Sequence, residues 1–252
     1  MAAPDAIFAL EVPYQDDLAR RTLLPALVGS AASYLNFVAV NGTEPLFSIV
    51  GNPSFDFRDL AGAAVLGITA GIAARCFALL LRQAKRLSRF RAPVRVVGAG
   101  AALAAVFATG WALTGESLTI GSGYDAIAWS LDPRHATWLV VVVLGLRCVA
   151  TVATVAGRGA GGLFIPLVVG GALLGRAVGG AVHGLDMSLF VVVGVSAFLG
   201  AGYRVPLASV MFVAEPTGRP GFVVPGLLAA VAAELVMGRA SVTTHQRSGV
   251  DR

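Results

Sequence analysis

Eight continuous apolar runs dominate this 252-residue chain, at approximately 22–40, 59–81, 96–113, 136–156, 163–182, 189–203, 205–215 and 221–237. No Pro-rich or Ser-rich linker divides them, and nothing after residue 238 is long enough for a soluble domain. Apolar residues (Ala, Val, Ile, Leu, Met, Phe, Trp, Tyr and Cys) make up 56% of the chain and charged residues only 13%, with a mean hydropathy of +0.78. Soluble domains hold roughly 45–50% apolar residues, so a water-facing exterior cannot be assembled from this composition. The chain reads as an all-α, polytopic integral membrane protein, treated as one transmembrane domain over residues 1–252. The opening MAAPDAIFALEVPYQDD lacks the basic n-region of a secretory signal, which leaves the membrane address to the internal segments.

The run lengths are uneven. A helix needs about 20 residues to cross a bilayer. The run at 205–215 and the shorter segment at 123–131 fall below that, which predicts re-entrant or broken helices of the kind found where protein or a water-filled cavity satisfies the free backbone groups. Channels and transporters are built this way. Orientation follows from RQAKRLSRFRAPVR, which carries Arg82, Lys85, Arg86, Arg89, Arg91 and Arg95 and no acid. With Arg20 and Arg21 before the first full span and Arg239, Arg247 and Arg252 after the last, the positive-inside rule places the 82–95 loop, the Arg20 end and the C-terminus in the cytoplasm. Topology alone accounts for that loop, and contact with anionic lipid is an addition. The basic residues stand in short gaps without interleaved aromatic residues, so a pI near 9.9 does not point to nucleic acid. Cys76 and Cys148 sit inside apolar runs and read as buried small hydrophobes; no metal or cofactor is expected.

Two short segments resemble one another. Ile7-Phe8-Ala9-Leu10-Glu11 matches Met211-Phe212-Val213-Ala214-Glu215, with Pro4 and Pro206 upstream and Pro13 and Pro216 just after, and a proline-containing span follows each. Internal duplication is frequent among transporters.

The most informative stretch is Gly157-Arg158-Gly159-Ala160-Gly161-Gly162-Leu163-Phe164-Ile165-Pro166 ahead of an apolar helix. Glycines permit close backbone approach to a ligand, and proline suits the first turn of a helix. The pattern describes a helix N-terminus inside the membrane, whose free N–H groups and positive dipole end can hold an anion without a buried formal charge. Gly171, Gly175 and Gly179 fit the small-xxx-small pattern of helix packing, and both uses can coexist.

GRGAGGLFIPLVVGGALLGRAVGG closely resembles the GxFxP segment of the CLC family of chloride channels and proton-coupled chloride transporters. GVSAFLGAGYRVPLASVMFVAEPTG, with the span after it, resembles the family's closing helices, and ALEVPYQDD and GSGYDAI are similar to further family segments in the same order. The resemblance implies a bundle of tilted and partial helices with inverted repeats, a second copy of the chain as partner in a homodimer, and one chloride-type anion pathway per subunit. It puts the GxFxP motif on Gly162, Leu163, Phe164, Ile165 and Pro166, with the N–H groups of Leu163 and Phe164 facing the central anion. The segments at 4–12 and 205–216, with their following spans, fall on the dimer-interface helices, and Gly121-Ser122-Gly123 on a family turn or an ordinary loop.

The departures also matter. The family's GSGIP-like loop with a pore serine and its GREGP-like segment with a gating glutamate have no counterpart here, which makes the chain resemble a C-terminal portion and raises the alternative of a transport-inactive fragment that only dimerises. Proton-coupled members commonly carry an acid at the position of Val12, and a valine cannot accept a proton; the resemblance therefore leans toward an uncoupled pathway. The pore tyrosine of some members falls near Val242, so that segment supplies no phenol. Arg147 and Glu234 are ionisable residues within spans, read as snorkelling or paired inside the bundle. Glu44 reads as solvated. A serine hydrolase built on Ser196 and His245 is the reading from another class, weakened by the position of His245 beyond the last span.

Overall fold

The computed structural model describes residues 2–13, 23–42, 56–87, 90–181, 187–217, 220–238 and 240–243. Ten α-helices occupy them: α1 (Ala2–Glu11), α2 (Leu23–Asn41), α3 (Phe57–Arg86), α4 (Ala92–Thr114), α5 (Tyr124–Ser130), α6 (Thr137–Ala156), α7 (Phe164–Ala181), α8 (Met187–Tyr203), α9 (Pro206–Thr217) and α10 (Val223–Met237). Five of these, α2, α3, α4, α6 and α7, are long and apolar enough to cross a membrane. The short runs become the short helices α5 and α9, of 7 and 12 residues.

Helix α8 is the hub. Every residue from Leu189 to Gly202 is buried, as expected of a helix that is apolar all round, and α3, α7, α9 and α10 pack around it. The outer helices keep apolar residues on their outward faces, including Ile68 and Ile72 of α3, Val96 and Val97 of α4, and Val141 of α6. In water such surface would aggregate; in a bilayer it faces lipid. Cys76 lies on this outward side of α3 and is exposed, which corrects the expectation that both cysteines are buried; Cys148 is partly buried. Apolar neighbours in sequence do not imply burial in a membrane helix, because one of its sides is solvated by lipid.

Helix α3 starts at a capping box. The Asp56 carboxylate accepts from Phe57 N at 2.7 Å, and Asp59 accepts from Asp56 N at 3.1 Å. Its 30 residues span about 45 Å, against a hydrocarbon thickness of about 30 Å, so one end must emerge or the helix must tilt. Its C-terminal end carries Arg82, Lys85 and Arg86. The rest of the basic segment, except Arg89, continues into the start of α4; Arg20, Arg21, Glu44, Arg239, His245, Arg247 and Arg252 lie outside the described residues.

The sequence repeat has a structural counterpart. Helices α1 and α9 pack together in opposite directions: Glu11, the last residue of α1, accepts from Leu207 N at 3.2 Å and Ala208 N at 2.8 Å in the first turn of α9. At the other end, Asp5 of α1 lies within electrostatic range of Glu215 of α9. Glu11 is buried, and its charge sits at the positive end of the α9 dipole. Glu11→Ala leaves the buried Ala208 amide and the part-buried Leu207 amide without acceptors and is expected to cost about 2 kcal/mol, read as a lowered unfolding temperature in detergent; Glu11→Gln, which keeps one acceptor oxygen, is expected to lose less.

Candidate anion site

The glycine-rich approach to α7 is non-helical. Helix α6 closes with Gly157 N donating to Ala153 O at 2.9 Å, Arg158 takes φ 61°, and the chain then runs without regular structure to the first residue of α7, Phe164. Pro166 lies in the first turn, where it has no N–H to waste, and the first intrahelical acceptor is Leu163 O, which takes Leu167 N at 3.1 Å. The predicted residues Gly162, Leu163, Phe164, Ile165 and Pro166 therefore form the N-terminus of a helix that is mostly buried in the bundle from Leu167 to Gly179.

Cavities flank this N-terminus. One, of about 540 Å³, is lined by Gly162, Leu163, Ile165 and Pro166 together with residues of α6 and of the loop before α5. Its polar lining includes Arg147 and the hydroxyl residues Ser122 and Thr151, and no carboxylate lines it among the described residues. A second, of about 420 Å³, takes Phe164 as part of its wall, with Asp5, Phe8 and Val12 of α1, Tyr203 of α8 and Phe212 of α9. Consecutive residues of one motif thus face different cavities.

The Phe164 ring is held by the two repeat-equivalent phenylalanines. Phe8 meets it edge-on at 5.4 Å and 89°, and Phe212 at 5.0 Å and 84°. Each such pair contributes about 0.5–1.5 kcal/mol beyond its buried area, and the two fix the ring from both halves of the repeat. Tyr203 packs against Phe8 at 5.6 Å and Phe164 at 6.4 Å.

Arg147 is paired inside the bundle. Its guanidinium donates to Leu118 O and, at 3.1 Å, to Gly121 O, which ties α6 to the Gly121-Ser122-Gly123 turn. These carbonyls would otherwise present negative dipoles near the first cavity. Gly123 is required there: at φ 90° it lies so close to α6 and α7 that an added Cβ would come within 2.6 Å of Arg147 Nη2 and 2.5 Å of Val169 Cγ2. Glu234 lies 3.8 Å from Arg204 Nη2.

One buried cation escaped the sequence reading. Arg176 in α7 is 2% exposed, donates Nε to Ser130 O at 2.8 Å and Nη2 to His135 O at 3.0 Å, and so fastens α7 to the α5–α6 turn. The signal available was an arginine inside an apolar span, the same signal that singled out Arg147. Val242 is buried, with its N–H donated to Gly202 O at 2.9 Å, and it is Thr243 that lines the second cavity. Ser196 is buried within α8 and turned toward Val192 O at 3.5 Å; His245 lies outside the described residues, so the hydrolase reading gains no support.

The sequence model described as voltage gated chloride channel matches residues 5–238. Among curated relatives, the H(+)/Cl(-) exchange transporter ClcA of Salmonella arizonae is 25% identical over 223 residues, covering 82% of this chain and 46% of the relative. ClcA of Klebsiella pneumoniae is 28% identical over 123 residues, covering 46% of this chain and 26% of the relative. The chain thus spans at most about half the length of these relatives. Two solved structures share the fold: a CLC-type fluoride/proton antiporter, with TM-score 0.79 and 21% identity over 96% of this chain and 60% of that one, and a slow cyanobacterial Cl−/H+ antiporter, with TM-score 0.76 and 17% identity over 94% and 57%. With the family model spanning nearly the whole chain and the same bundle recurring in these structures, the chain belongs to the voltage gated chloride channel family.

Proposed function

We propose that this chain is a single membrane domain that carries chloride or a similar anion across the cell membrane as a transporter or channel rather than an enzyme. Its central site is formed by the backbone N–H groups of Leu163 and Phe164. The observation that carries the reading is the N-terminus of α7, set between two cavities and presenting amides that have no acceptor within their own helix. Such a site attracts an anion through aligned dipoles and releases it more readily than a salt bridge would. Arg147 adds positive potential to one approach while masking two carbonyl oxygens. The names of the curated relatives support chloride as the substrate class.

Surrounding lipid, a second copy of the chain as partner and a cytoplasmic C-terminus complete the reading. An uncoupled pathway is favoured because Val12, on the wall of the second cavity, cannot carry a proton. One observation favours coupled exchange instead: Asp5 lies on the same face of α1 as Phe8 and Val12 and lines the same cavity. Chloride efflux from liposomes holding the purified chain, with a potassium ionophore clamping voltage and a pH electrode recording protons, separates the two. Efflux without stoichiometric proton uptake is expected. Proton uptake abolished by Asp5→Asn would establish the coupled reading, and absence of efflux from folded, dimeric protein would overturn transport by this chain alone.

A further inference from the structure

Arg176 has a donor that nothing takes up. Nε and Nη2 donate to Ser130 O and His135 O, yet Nη1, in a residue only 2% exposed, is buried with no hydrogen-bond acceptor. An unpaired donor on a buried guanidinium costs more than a neutral one, because the charge is uncompensated as well. Among the described residues no acid forms an ion pair with it; Asp132, in the turn it fastens, is held by Arg134 at 2.6 Å.

This nitrogen stands at the N-terminus of α6. The N-cap, Ala136, supplies no side-chain acceptor, and the amides of Thr137 and Trp138 have none within the helix. Leu139 N and Val140 N are the first to find one, donating to Ala136 O at 3.0 and 3.3 Å. Gly180 shows how close the guanidinium comes: a Cβ built there would overlap Arg176 Nη1 and lie 2.9 Å from Thr137 Oγ1. Nη1, the Thr137 hydroxyl and two amides thus gather at one helix end, where Ser130 O and His135 O are already engaged by the rest of the guanidinium.

Charge favours an anion there. The start of α6 carries about half a positive charge and the end of α7, at Ala181, about half a negative one. These offset each other, as do Asp132 and Arg134, which leaves the whole charge of Arg176. A water molecule would have to find acceptors for its own two protons, whereas a halide needs only donors.

We propose that a small monovalent anion such as chloride binds between Arg176 Nη1, the Thr137 hydroxyl and the first amides of α6, at a second site separate from the start of α7. Arg176 lies 12 residues beyond Phe164, about 18 Å along the helix, and neither cavity beside the α7 N-terminus is lined by Arg176, Thr137 or Gly180. Thr137 and Gly180 are partly exposed and Ala136 and Trp138 exposed, so a turn of the Thr137 side chain admits the ion to the covered Nη1. The bound anion balances Arg176 and ties the start of α6 to the end of α7, so stability rises with anion concentration. This site does not depend on the assignment of Leu163 and Phe164.

The test is the unfolding temperature of the purified full chain in detergent as chloride replaces gluconate at constant ionic strength. It compares the wild type, Thr137→Val, Phe164→Pro and the double variant. Valine keeps the shape of threonine and leaves Arg176 in place, whereas a change of Arg176 itself would strand Ser130 O and His135 O. Phe164→Pro, which lacks a donor at the first site, is expected to keep a chloride-dependent rise. Thr137→Val is expected to raise the half-saturating chloride concentration of that response about fivefold, the factor that one net hydrogen bond supplies. In the wild-type background, Thr137→Val should weaken only part of the response, which keeps the comparison decisive if Phe164→Pro is too unstable to titrate. A wild-type response lost in a folded Phe164→Pro refutes the second site and leaves the first standing. A response that Thr137→Val leaves unchanged in both backgrounds also refutes it.

Discussion

Gly175→Ala and Gly194→Ala are each expected to leave little folded protein, with a loss of about 3 kcal/mol or more relative to the wild type. Ordinarily alanine improves a helix by about 1 kcal/mol over glycine, so propensity alone predicts the opposite sign. Close approach of α7 and α8 reverses it. A Cβ at Gly175 would overlap the carbonyl oxygen of Phe190 and lie 2.7 Å from its carbonyl carbon, and one at Gly194 would overlap Gly171 O and lie 2.8 Å from Gly175 Cα. These neighbours are backbone, so no side chain can turn aside; the helices must separate, and overpacking of that kind costs several times the propensity gain. Separation would also disturb α7, whose first turn is the proposed anion site. The internal control is Gly145→Ala in α6, where an added Cβ meets nothing within 4 Å. It is expected to be neutral or stabilising. Unfolding temperature and monodispersity in detergent decide the matter, and a Gly175→Ala protein as stable as Gly145→Ala would refute the packing role.

The glycines of α7 were legible in the sequence because small residues four apart state their purpose: Gly171, Gly175 and Gly179 line one face of α7 and all meet α8, whereas Gly194 on α8 gave no such signal. The equivalent pair Gly67 and Gly71, which meets Ala229 and Ala233 of α10, carries the same spacing and was overlooked. Helix positions were legible because long apolar runs report contact with lipid or core. Their ends were less so. The run at 59–81 became a helix over 57–86, since backbone hydrogen bonding continues into the charged segment after the hydrocarbon ends, and the capping box at Asp56 sets its start.

Around the site, what could be read was the local chain: a glycine-rich approach, a proline in the first turn, and the repeat of Phe8 and Phe212. What could not be read was who meets whom across the bundle. Arg147 and Arg176 look alike in sequence, yet one closes a turn beside a cavity and the other is sealed between α7 and the α5–α6 turn. Tyr203 carries no sequence signal at all, because the rings it packs against, Phe8 and Phe164, lie far from it along the chain. Partnerships of this kind depend on helix packing, and packing is set by many small contacts at once.

Phe164→Pro is expected to weaken chloride binding by about ten- to hundredfold relative to Phe164→Leu, the range that corresponds to one hydrogen bond to a charged group. The comparison is designed to isolate a single backbone donor. Both substitutions lose the ring contacts to Phe8 and Phe212, so that cost is shared. Leucine keeps the N–H and proline removes it. The first residue of a helix is the position at which proline is best tolerated, because its missing N–H has no intrahelical acceptor and its fixed φ suits the helix. The residue before it is pushed toward extended geometry, which is compatible with Leu163 because Leu163 precedes the helix. Helix α7 should therefore survive, as circular dichroism and unfolding in detergent can establish. If the two variants bind chloride equally well, the Phe164 N–H does not contact the anion, and the site must be sought along the cavity wall that carries Arg147 and Ser122.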